Sequence, residues 1–127
     1  MRYWNFDVCQ LIADYEKNKK TLSAIQDAVE VAELYLDNPV GATTRGDWEQ
    51  YLKILYLRRS EFDMYVNMVY RGFSDLPEIE RRVLEWWLIG DYDDVDIINN
   101  LGIKNLEELK RIKKIALTKF TNIVMPN

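Results

Sequence analysis

The sequence predicts an all-α fold, and three observations carry that prediction. Apolar residues recur at helical spacing along the whole chain, while strict period-2 alternation is nowhere sustained. Only 5 Gly and 3 Pro interrupt 127 residues dominated by Leu, Glu, Lys, Asp, Ile and aromatics. Apolar residues make up 48% of the chain, enough to bury a core rather than remain disordered. The length fits one domain, or one small domain with a helical extension. The elements group into N-terminal helices over residues 1–75 and a C-terminal unit over residues 76–127.

A first helix is expected from about Asn5 to Lys17, with Phe6, Cys9, Leu11, Ile12 and Tyr15 as its apolar residues. The polar run Glu16-Lys17-Asn18-Lys19-Lys20 reads either as a solvated joint or as a charged helix surface. Thr21 then caps or continues into a second helix ending near Leu36. Its residues Leu22, Ile25, Val29, Ala32 and Leu36 recur at three and four, which makes a core stripe. Asp37 to Gly46, with Pro39 and Gly41 between them, is the one clear loop. Asp47 is expected to cap the longest helix, about residues 47–71, which completes an N-terminal helical hairpin.

Along that helix Trp48, Leu52, Leu55, Arg59, Phe62, Val66 and Val69 fall at alternating steps of four and three. This is a heptad-like seam with one charged interruption at Arg59. The seam fits antiparallel packing on the preceding helix first; the sharper alternative is an intermolecular coiled coil, hence a homodimer through the long helix. Tyr51, Tyr56, Tyr65 and Tyr70 pose a similar choice between internal packing and an interface. Gly72 is placed to end the helix. Ser74 or Asp75 then fits an N-cap, with Pro77 in the first turn of the next helix.

Pro77 to Ile89 reads as a supporting helix with Ile79, Val83, Leu84, Trp86 and Leu88 apolar. Gly90 to Asp94 is an acidic turn, and Val95 to Asn100 a short helix with Ile97, Ile98 and Leu101 facing the core. Leu101-Gly102-Ile103 is the decisive punctuation, because a glycine just past an apolar-periodic helix supplies the left-handed conformation that ends it. Asn105 and Glu108 fit a capping box for a last helix. Leu109, Ile112, Ala116 and Phe120 give that helix a buried face, and Lys110, Arg111, Lys113 and Lys114 lie around the rest. Two helices divided by such a turn have the layout of a helix-turn-helix, which usually lays its last helix in the major groove of DNA.

Composition narrows the chemistry. There is no His and one Cys, so imidazole acid–base catalysis, His-activated nucleophiles, a structural zinc site and a disulfide framework are all excluded. No Gly-rich phosphate loop occurs. Asp93, Asp94 and Asp96 offer carboxylates for a hard cation, but Asp at a helix start more commonly caps the helix and complements its dipole. Neither an enzyme, a cofactor nor a metal is expected. No apolar run approaches a membrane span, and Met1 to Asp7 lacks the pattern of a signal peptide. The expected compartment is a reducing cytosol.

The net charge of −4 hides an uneven distribution. Residues 1–76 carry 9 basic and 12 acidic side chains, and residues 77–103 carry 2 and 7. Residues 104–127 carry 6 basic and 2 acidic side chains, so positive charge is concentrated in the last helix.

The segment LPEIERRVLEWWLIGDYDDVDIINNLGI resembles region four of bacterial sigma factors. Leu76, Pro77, Glu80, Arg81, Val83, Leu84, Gly90, Ile97, Leu101, Gly102 and Ile103 match its order of residues, and Ala116 and Phe120 resemble positions of its final helix. Ile98 stands where that pattern usually carries a small alanine. With the helical hairpin ahead of it, the chain is similar to phage and prophage regulators of the ArpU type, associated with late phage transcription. The resemblance implies a regulator that binds double-stranded promoter or operator DNA and contacts RNA polymerase. The residues it assigns to DNA are Lys104, Asn105, Glu107, Glu108, Lys110, Arg111, Lys113 and Lys114. In sigma factors the region also contacts the polymerase flap, which makes Trp87, Arg81 and Arg82 the candidate partner-binding residues.

Each assignment has a plainer counterpart. The basic residues form an ordinary solvated face, Asn105 is a helix cap, and Trp87 is covered by the N-terminal hairpin. The acidic Glu107 and Glu108 at the start of the last helix, together with the acidic turn, also fit a different class of protein. That alternative is an acidic helical inhibitor or adaptor that acts on RNA polymerase or another host protein without binding DNA.

Overall fold

A computed structural model describes residues 7–38 and 44–126 of the chain. Every regular element among them is helical. They are α1 (Val8–Ala13), α2 (Tyr15–Asp37), α3 (Arg45–Ser74), α4 (Glu78–Leu84) continued by a π-helical turn (Glu85–Ile89), α5 (Asp94–Leu101) and α6 (Leu106–Val124). The described residues form two compact units, one drawn from Met1–Glu16 and Asn67–Asn127, the other from Lys17–Val66. The division runs through α3. Its physical cause is where the apolar side chains bury: Leu11, Ile12, Val69 and Phe73 are buried in the unit that contains Phe120, and Phe73 meets that ring directly.

Asp7 caps α1, its carboxylate accepting from the Gln10 N–H at 3.0 Å. The expected start at Asn5 and Phe6 lies outside the described residues. The joint falls at Asp14, whose φ of −86° and ψ of 4° occupy the sparsely allowed bridge region. Helix α2 begins at the next residue and runs through Glu16 to Lys20, so that polar run is helix surface and Thr21 caps nothing. Asn18 is the exception within it, turned inward and buried.

In the unit of residues 17–66, Ile25, Val29 and Ala32 of α2 form one cluster with Leu52 and Leu55 of α3. Ala28, Leu36, Trp48 and Phe62 pack against it. Tyr35 stacks on Trp48 at 5.3 Å, and the Tyr56 hydroxyl donates to Glu33 at 2.7 Å. Partners that descend along α2 while they ascend along α3 make the two helices antiparallel. The seam residues Trp48, Leu52, Leu55 and Phe62 thus meet α2 of the same chain.

Of the loop expected at Asp37 to Gly46, residues 39–43 lie outside the described residues, while Asp37 is the last residue of α2 and Arg45 and Gly46 already belong to α3. Thr44, not Asp47, caps α3. The Thr44 hydroxyl accepts from the Asp47 N–H and the Asp47 carboxylate accepts from the Thr44 N–H, each at 3.2 Å. This is a capping box with Asp at its third helical position. At the other end, α3 does not stop at Gly72 but continues to Ser74. The next helix starts after Pro77 without a side-chain cap, so neither Ser74 nor Asp75 has the capping role expected of it.

In the other unit α4 packs on α5 and α6, and α1 packs on the π turn and α6. Val83, Ile97, Ile103, Leu109 and Ile112 form the core cluster, with Trp86, Trp87, Ile98 and Leu101 against it. All four stripe residues of α6, Leu109, Ile112, Ala116 and Phe120, are buried as their spacing requires. The supporting helix widens after Leu84, where the Gly90 N–H reaches back five residues to the Glu85 carbonyl at 2.8 Å. Trp86 and Trp87 share this wide turn, and both are half-buried.

Candidate nucleic-acid interface

The turn between α5 and α6 is built by backbone chemistry. Asp93 caps α5, accepting from the Asp96 N–H at 2.9 Å. Gly102 ends the helix at φ 70° and ψ 33°, and the Ile103 N–H bonds the Ile98 carbonyl at 3.1 Å. That six-to-one bond satisfies a carbonyl the helix end would otherwise orphan, and it brings Ile103 and Ile98 into one apolar cluster. Ile98 is accommodated there, half-buried. Asn105 then caps α6, its side chain accepting from the Glu108 N–H at 2.9 Å. Its carbonyl oxygen is thereby committed to the helix.

The buried stripe of α6 fixes which side chains point outward. Glu107, Lys110 and Lys114, spaced three and four apart, lie opposite Leu109, Ile112 and Ala116 and are exposed. Lys104, in the turn ahead of the helix, is exposed as well. No ion pair among the described residues engages Lys110 or Lys114.

The other cations expected at this face have internal partners. The Lys113 ammonium sits 2.7 Å from the Asp94 carboxylate and 4.5 Å from the centre of the Trp87 ring. Its side chain is 18% exposed, so it closes the angle between α5 and α6 rather than facing outward. Arg111 donates to Glu108 through two nitrogens, the Nε contact being 3.2 Å. This pairing holds the Glu108 carboxyl below its ordinary range and raises Arg111, each chiefly through the shared hydrogen bonds. Lys119 pairs with Glu80 of α4 at 3.1 Å.

The candidate partner-binding residues are also placed. The Trp87 indole carries Lys113 over its face and lies against the core cluster. Arg81 is 3.7 Å from Glu85 on the next turn, and Arg82 is exposed. Asp94 and Glu80, which engage two of the lysines, were not among the expected site residues. They lie 19 and 39 positions from their partners, a separation with no local signature.

Compared with protein-family models, curated proteins and solved structures, the chain matches none. No described helix is long and apolar enough to cross a membrane. The described carboxylates gather no metal-holding group: Asp93 serves as a cap and Asp94 as the partner of Lys113.

Proposed function

We propose that this chain is a phage-type transcription regulator that binds promoter DNA through a sigma-like helix-turn-helix, formed by α5, the Gly102 turn and α6. The helical hairpin of α2 and α3 precedes it in the chain. The observation that carries the reading is the outward face of α6. A helix anchored on one side in the core begins just after a left-handed glycine and presents Lys104, Lys110 and Lys114 to solvent. Cations at the start of such a helix reach the phosphates that flank a major groove. RNA polymerase is the second expected partner, met through the surface around Arg81, Arg82 and Trp87, in the cytoplasm of a bacterial host.

Fluorescence anisotropy on a random duplex and on a late-promoter fragment, at low and moderate salt, tests this. Specific binding that weakens steeply with salt supports it. Absence of binding at low salt rejects it.

A second reading has its own observation. Ile54, Leu57 and Met64 of α3 stand 53%, 74% and 53% exposed, an unusual density of apolar side chains facing water. An adaptor that uses this face would capture a host protein with little dependence on salt, and Leu57→Glu would abolish that capture.

A further inference from the structure

The six basic residues after Ile103 are not equivalent. Lys113 and Lys119 are tied to Asp94 and Glu80, whereas Lys104, Lys110 and Lys114 are exposed and, among the described residues, enter no ion pair, although Lys104 is near enough to Glu108 to help hold its carboxyl down. Arg111 is the intermediate case. Its own helix position would let it swing toward the outward face, one step from Lys110 and four from Glu107. Instead both Arg111 and Glu108 line a cavity of about 390 Å³ between α6 and the start of α4. Ile79, Ile103, Ile112 and Ile115 share that lining, and Lys104 stands at it too, whereas Lys110 and Lys114 take no part in it. Glu80, on the same cavity, adds a second negative charge on that side.

We infer that Glu108 is a positioning residue which holds Arg111 toward α4 and keeps it out of contact with DNA, so that α6 neutralises phosphates with three lysines only. The inference rests on the DNA-binding reading above and deepens it. Glu108 thereby sets how tightly, and with what sensitivity to salt, the helix grips a duplex. Glu49 supplies the comparison, because it has the same charge and its own arginine partner, Arg45 at 3.2 Å, on α3 and outside the helix-turn-helix.

The salt dependence of binding counts the cations engaged, at about 0.9 in slope per phosphate neutralised. Three lysines predict a slope of about −2.7, which is a loss of affinity of about 40-fold between 50 and 200 mM salt. Glu108→Gln releases Arg111 and steepens the slope to about −3.6, or about 150-fold over the same range. Glu49→Gln removes the same charge and leaves the slope where it was.

The experiment is anisotropy on a random duplex across that salt range, with the full chain, Glu49→Gln, Glu108→Gln, Arg111→Ala and the Glu108→Gln/Arg111→Ala double variant. Circular dichroism of each variant establishes that it is folded. The expected result is a steeper slope for Glu108→Gln alone, abolished in the double variant, with Arg111→Ala by itself matching the unaltered chain. Equal slopes for the two Gln variants, or a shallower slope for Arg111→Ala alone, would overturn the inference while leaving the DNA-binding reading in place. No binding by any of the five would overturn that reading, and the inference with it.

Discussion

Gly72 lies so close to Phe120 that a Cβ at residue 72 would be driven into the phenyl ring. The glycine is buried within α3, and Phe120 is fully buried in α6. The missing side chain is what lets the backbone of one helix rest on the ring of the other. Phe73, beside it, meets the same ring edge-on at 5.7 Å, and Tyr15 meets Phe73 at 6.2 Å. Three aromatic side chains and one absent one thus join α2, α3 and α6 in a single core.

Gly72→Ala is therefore expected to destabilise the protein despite the higher helix propensity of alanine. Propensity offers about 1 kcal/mol, while overpacking a filled core costs about 1–3 kcal/mol. The ring sits among buried neighbours and has nowhere to swing. Chemical denaturation should show a lower midpoint for Gly72→Ala and partial recovery when Phe120→Leu is added. A midpoint raised by Gly72→Ala would mean that the ring yields freely.

Gly102 should respond for a different reason. Nothing lies within 4 Å of a Cβ placed there, but its φ of 70° is left-handed. Gly102→Ala is expected to cost about 1–2 kcal/mol of backbone strain alone. Gly102→Asn should cost less, since a short polar side chain tolerates that region. Thermal melts of the two variants separate strain from crowding, because crowding would make Asn the worse of the pair.

Lys113 and Lys110 are near neighbours in sequence with opposite expected phenotypes. Lys113→Ala loses the Asp94 pair and the ammonium over Trp87, and should lower stability by about 1 kcal/mol while shifting the Trp87 emission. Lys110→Ala with Lys114→Ala should leave the melting temperature alone and reduce the slope of duplex binding by about 0.9 per lysine. Should Lys113→Ala prove as stable as the original chain, its pairing with Asp94 is incidental.

The Glu108–Arg111 pair carries a pH signature with a definite sign. Hydrogen bonds from Arg111 hold the folded-state carboxyl of Glu108 below its ordinary value. Its contribution to stability is therefore present above that ordinary value, about 4.3, and is lost as pH falls through the depressed one. Denaturation midpoints of the unaltered chain and of Glu108→Gln should differ near neutrality and converge in acid. Parallel curves across the range would show that the pair adds nothing to folding.

Local features were legible in the chain itself. The stripe Leu109, Ile112, Ala116 and Phe120, the left-handed Gly102 and the Asn105 cap all follow from residues within one or two helical turns, where propensity and spacing act directly. The all-α class follows in the same way. Tertiary structure decided what depends on distant partners. It gave Gly72 a packing role inside a helix rather than a terminating one, since Phe120 occupies the space a side chain there would need. It joined α1 to the C-terminal helices, since Leu11 and Ile12 bury there. It also divided the cations of the last helix, because Asp94 and Glu80 meet Lys113 and Lys119 only once α4, α5 and α6 have packed. A periodic sequence says which face of a helix turns inward; only the packed neighbours settle which charges on the remaining faces stay free.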